Sequence, residues 1–313
     1  MTAPPADASR PDRSPDPAAA GLLYALTAFL CWGFVPIYFK ALSPASPLEI
    51  VCHRTVWSVL FMAVVALALR RQGLVLRELR SPRRLAVYAV TAALISSNWL
   101  IYIWAIGQNM LVEASLGYYI NPLVNVVLGV LFLGERLNRR QVSAVLLALA
   151  AVAVLVAGVG HMPWVALALA GSFGFYALVR KKAAVDPVGG LLVETAMASP
   201  FALGWLLWIG SQGQGAFGTH GLGLDLMLAG AGAVTALPLV LFNLGALRLR
   251  LSTIGLLQYL SPTIQLGLGT LAYGEPFTPT HAAAFLLIWA GLAVYSSDAV
   301  LGRRAARRTL PAE

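Results

Sequence analysis

Charge is what this chain has least of: Asp, Glu, Lys and Arg make up 11% of its 313 residues, against about a quarter in an ordinary soluble domain. With 59% of the residues hydrophobic, that scarcity excludes a water-dissolved globule and places the chain in lipid. Cysteine is almost absent too. Cys31 and Cys52 both fall in apolar stretches, where a thiol behaves as a small hydrophobe, so no disulfide framework is expected. No grouping of metal-ligating residues stands out along the sequence, and neither a metal nor a cofactor is expected. A Gly-x-x-x-x-Gly-Lys-Ser/Thr loop is missing, as is a soluble segment that could hydrolyse ATP. Energy for any work across the membrane must then come from a gradient or from the solute itself.

What is present is a series of apolar runs, each about 20 residues and so long enough to cross a bilayer. They span 21–41, 48–69, 85–106, 112–133, 139–159, 163–180, 187–210, 223–246, 252–273 and 280–301. The expected fold is an all-α integral membrane protein with ten transmembrane helices. Residues 1–20, rich in Pro, Ala and Asp, cannot bury a core and read as a disordered tail; residues 303–313 read as a basic tail. The first run is too long for a cleavable signal core and has no small-residue cleavage site, so no signal peptide is expected.

The net charge of +9 could suggest a nucleic-acid partner, but its distribution argues against one. Basic residues fill every second connection: Arg70 to Arg84 after the second run, Arg136 to Arg140 after the fourth, Arg180 to Lys182 after the sixth, Arg248 and Arg250 after the eighth, and Arg303 to Arg308 after the tenth. The positive-inside rule puts these loops and both termini in the cytoplasm. Of all the Lys and Arg residues, only Lys40 and Arg54 escape that assignment.

One phrase occurs twice. Residues 119–135 and 259–275 align without a gap and share Tyr119/Tyr259, Pro122/Pro262, Leu128/Leu268, Gly129/Gly269, Leu131/Leu271, Gly134/Gly274 and Glu135/Glu275. Gly33-Phe34 through Lys40 and Gly174-Phe175 through Lys181 match more weakly. The reading is two five-helix repeats, 21–160 and 161–302. Because five is odd, the second copy is inverted across the membrane plane, an arrangement found in alternating-access carriers with a site near the midplane.

Polar residues inside the apolar runs are costly and therefore informative. Glu49, His53 and Arg54 open the second run. Arg54 could hold a substrate carboxylate or an acid on the seventh run, or could simply lock its helix in place. Glu194 on the seventh run could exchange a proton or form a static bond between helices. Pro122 and Pro262 are expected to kink their helices, with Tyr118, Tyr119, Asn121 and Asn125 around one and Gln258, Tyr259, Ser261 and Gln265 around the other. Those amides could line a site or join helices. Trp32, Asn98 and Trp99 offer an aromatic and amide surface for a small amphipathic ligand. Glu135 and Glu275 are expected as turn or cap partners.

Trp32-Gly33-Phe34, His53-Arg54, Asn98-Trp99, the stretch Glu113 to Leu123, Leu133-Gly134-Glu135-Arg136, Leu178 to Lys182, Arg248 to Thr253 and Tyr273-Gly274-Glu275 together resemble the EamA-type transporters, and within them the RarD-type permeases. The resemblance covers residues 20–302. It implies a multi-pass permease of the bacterial inner membrane that exports small metabolites or drugs, with chloramphenicol resistance as the associated label. The expected partners are a small-molecule substrate and the lipid bilayer, with protons as a candidate coupling ion. The other classes are a membrane-embedded enzyme, for which Glu49, His53 and Glu194 are too few and too dispersed, and a structural membrane protein that transports nothing. The oligomeric state is open.

Overall fold

Helix boundaries fall where the sequence supplies caps. Ser81 accepts from the Arg84 N–H at 3.4 Å with Pro82 following it, a favoured helix start. Asn138 and Gln141 form a reciprocal capping box. At the other ends, Gly134 (φ 67°) and its repeat partner Gly274 (φ 64°) adopt the left-handed conformation that glycine takes without strain.

The computed structural model describes residues 17–68, 80–134, 136–183, 187–249 and 257–308, with positions 70, 73, 78, 253 and 254 between them. Its α-helices are α1 (Pro17–Ala41), α2 (Pro47–Ala68), α3 (Pro82–Gly107), α4 (Leu111–Leu133), α5 (Arg139–Val159), α6 (Trp164–Ala183), α7 (Pro187–Ser211), α8 (Leu222–Ala246), α9 (Leu260–Gly267) and α10 (Pro279–Arg308). A π-helical turn, Leu268–Ala272, continues α9. No strand occurs among the described residues.

Among the described residues, α1 to α5, α7 and α8 are long and apolar enough to cross a membrane, which makes the chain a multi-pass membrane protein. The other helices differ from the expected spans for visible reasons. Helix α6 ends in Arg180, Lys181 and Lys182. Helix α9 starts at Leu260, so Pro262 occupies its first turn rather than the middle of a long helix. Helix α10 opens with a shorter apolar stretch, Pro279–Tyr295, and runs on to Arg308, because the Ala and Arg residues of the expected tail are good helix formers. Residues 1–16 and Glu135 lie outside the described residues.

Packing obeys a rule. Helix α1 packs on α8 and α9, α2 on α7 and α8, and α5 on α10; shifting each index by five gives α6 on α3 and α4, and α7 on α3, which are also found. Two glycines matched in the sequence permit close approaches in corresponding pairs. A Cβ on Gly33 would lie 2.7 Å from Ile264 Cδ1 across the α1–α9 contact, and one on Gly174 would lie 2.9 Å from Val124 and Leu128 across α6–α4. One apolar cluster joins the ends of α1 and α3 to the starts of α2 and α4, and a second joins α4, α5 and α10.

Candidate functional site

Polar side chains in the bundle sort into an interior cluster (the chamber), a clasp at one end and a set of backbone ties at the other. The chamber centres on Arg54, two turns into α2. Its Nε donates to Thr235 Oγ1 on α8 at 2.9 Å, and its guanidinium stacks 3.9 Å from the ring centroid of Trp99 on α3. Tyr118 of α4 and Tyr176 of α6 are near enough to interact with its charge. No carboxylate among the described residues lies within ion-pair distance of Arg54.

Aromatic rings wall this chamber. Trp99 meets Phe39 and Tyr102 edge-on at 6.0 and 5.8 Å, and Tyr102 meets Tyr118 at 5.5 Å. Tyr102, 1% exposed, is a neighbour of Gln265 on α9. Its hydroxyl, Gln265 Oε1 and Asn121 Oδ1 are buried without a hydrogen-bond partner among the described residues. Each such group costs about 1–3 kcal/mol. Pro122 adds to the polarity, since it cannot donate to the Tyr118 carbonyl one turn back.

Glu194, 1% exposed, belongs to the clasp. Arg180 Nη1 reaches both its oxygens at 2.9 Å, Thr91 donates at 2.7 Å and Tyr176 at 3.2 Å. The acid on α7 is thus held by α3 and α6, and its cation is Arg180, not Arg54. Nearby, Glu78 takes Arg84 and, at 2.7 Å, the Tyr88 hydroxyl.

The opposite end is tied by carboxylates on backbone N–H groups. Glu49 Oε1 accepts from Ala216 at 2.8 Å and Phe217 at 3.2 Å, which fastens the α7–α8 loop to the start of α2. His53 stacks on Phe217 at 4.9 Å, with Nε2 4.0 Å from Glu49 and both ring nitrogens unpartnered among the described residues. Glu275 accepts from Leu111 and Val112 at 2.8 and 2.7 Å and caps α4, as a carboxylate at a helix N-terminus should. Lys40 contacts Asn109 and lies 3.9 Å over Tyr273.

The remaining expected site residues are spread through the bundle. Asn98 joins α3 to α6 through the Leu169 carbonyl at 3.0 Å and Ser172 at 2.9 Å. Gln265 Nε2 and Ser261 join α9 to α1 through the carbonyls of Trp32 and Phe29. The Trp32 ring packs with Phe29 and Phe242. Tyr119 stacks on Tyr259 at 6.1 Å and bonds Thr263 at 2.5 Å. Asn125 and Gln258 are exposed. Thr235, Tyr102, Tyr176 and Arg180 were missed in the sequence; Thr235 had one signal, as a lone hydroxyl within an apolar stretch of α8. A separate crevice of about 380 Å³ lies between α2, α3 and α7, apolar apart from Thr55 and Ser96, with Phe201 83% exposed among its lining residues. No group of His, Cys, Asp and Glu among the described residues could hold a metal ion.

The sequence matches the EamA-like transporter family twice, over residues 19–157 and 162–297. It is 47% identical over 292 residues to Protein RarD of Streptomyces exfoliatus, covering 93% of each chain. It is 46% identical over 291 residues to an uncharacterized transporter of Vibrio cholerae, covering 93% of this chain and 96% of that one. Among solved structures, a protein crystal structure superposes with a TM-score of 0.56 at 23% identity, over 88% of this chain and 97% of that chain. That likeness speaks to the fold alone.

Proposed function

The chain belongs to the EamA-like transporter family, and on that premise we propose that it is a secondary transporter of the bacterial inner membrane, exporting small amphipathic metabolites or drugs by alternating access. In this reading it has ten membrane-crossing helices in two inverted five-helix repeats, with both termini cytoplasmic and protons as the candidate coupling ion. One observation carries it: the Arg54 chamber is assembled from both halves of the chain. Arg54, Trp99, Tyr102 and Tyr118 come from the first half, Thr235 and Gln265 from the second. A solute held there touches both bodies that alternating access requires to rock against each other.

Helix packing supports the two-body reading, since the pairs exchange when each index is shifted by five. Gly33 and Gly174, matched in the sequence, each bring their helix against the duplicated segment of the other half. The test is flux and counter-flow of amphipathic solutes in proteoliposomes, with and without an imposed pH gradient. A carrier gives saturable flux that unlabelled solute on the far side accelerates, and Arg54→Ala abolishes it. Flux that rises linearly with concentration and shows no counter-flow would reject the carrier. Indifference to the pH gradient would reject proton coupling alone.

A further inference from the structure

The charges of the chamber point to a narrower class of solute. Glu194 is neutralised by Arg180, Glu49 is bonded to two backbone N–H groups, and Glu275 caps α4. Arg54 is left as a cation without an acidic counterpart among the described residues. An uncompensated charge taken out of water costs several kcal/mol, and a guanidinium stays protonated rather than shedding that charge. The cost is recovered when a solute brings the negative charge with it.

The geometry also fixes how that charge would arrive. Nε is engaged by Thr235 and Trp99 covers one face of the guanidinium. The Nη1 and Nη2 edge, with no hydrogen bond to a described residue, therefore remains for an in-plane, end-on pair of bonds. A carboxylate matches that fork. Beside it, the half-buried rings of Trp99 and Tyr118 offer surface for an apolar body. Nothing among the described chamber residues offers a free carboxylate for a substrate ammonium group.

We infer that the Arg54 chamber takes a monoanionic carboxylate with an aromatic or alkyl body, in preference to neutral, cationic or zwitterionic solutes. The inference rests on the reading of this chamber as the transport site. It is tested on the full chain in nanodiscs with a panel of aryl and alkyl monocarboxylates, including 3-phenylpropionate, each paired with its neutral amide; phenethylamine and phenylalanine supply the cation and zwitterion. Binding is followed by thermal shift and tryptophan fluorescence.

The expected result is at least one acid bound about tenfold or more tightly than its amide, a difference of about 1.4 kcal/mol. Arg54→Gln should erase that preference and, without ligand, melt at the same or a higher temperature than wild type, because it removes an uncompensated charge. Arg54→Lys should keep the preference at reduced affinity, and it carries the test if Arg54→Gln does not fold. No acid preferred over its amide, or a preference that survives in Arg54→Gln, overturns the inference. Paired counter-flow separates it from the broader reading. Saturable flux confined to neutral or cationic solutes leaves a carrier and rejects the anion, whereas Arg54-dependent acid binding without flux keeps the anion and rejects the carrier.

Discussion

Two arginines sit inside this bundle under opposite arrangements. Arg180 is spent on Glu194, with Thr91 and Tyr176 completing the carboxylate's bonds. Arg54 has a hydroxyl and an indole face but no acid among the described residues. Both carry the desolvation cost of a cation in a membrane-embedded protein. The first recovers that cost in the folded chain and so joins α3, α6 and α7. The second leaves it outstanding, which makes sense where the missing charge belongs to something that comes and goes. Burial of a charge thus separates scaffold from site only once its partners are counted.

The comparison breaks most visibly at the clasp. Glu194→Gln or Arg180→Ala should cost about 3–5 kcal/mol of stability, because each leaves a buried charge unpaired; thermal unfolding in nanodiscs reads the loss. Arg54→Gln should do the reverse, lowering kcat/KM for the transported solute by tenfold or more, about 1.4 kcal/mol in transition-state terms, with no loss of melting temperature. Equal destabilisation by the Arg54 and Arg180 variants would remove the distinction. The matched glycines sharpen it on neutral ground. Gly33→Ala and Gly174→Ala should each cost about 1–3 kcal/mol by overpacking, and similar losses would show that the two halves differ in charge rather than in tightness. Glu275→Gln is the mildest case. Its charge is spent on the N–H groups of Leu111 and Val112, so its loss should cost about 1 kcal/mol, seen as a small drop in melting temperature with flux retained.

Much of this was legible in the sequence. Hydropathy located most helices to within a few residues, and the duplicated phrase pointed to Gly134 and Gly274, which share the left-handed turn. Arg54 was visible because a charge in an apolar run has few innocent explanations. Its neighbours were less so. Arg180 read as a loop cation, since it opens the basic triplet that ends α6, and its turn toward Glu194 depends on how that helix is rotated. Glu49 read as a pathway residue because its partners are the backbone N–H groups of Ala216 and Phe217, which carry no sequence signature. Tyr102 and Thr235 gained their importance only through the side chains that stand across from them.

The π turn at Leu268–Ala272 works as a phase shifter. Residues 119–135 and 259–275 align without a gap, yet α4 stays α-helical to Leu133 while its counterpart takes up one wide turn. Such a turn takes more residues per revolution than an α-helical turn, so the chain leaves it at a different rotation from that of a regular helix of the same length. Glu275 follows that turn and meets the first N–H groups of α4. A duplicated segment thereby carries a wide turn in one copy where the other continues as an α-helix, and its terminal acid gains a use as a cap.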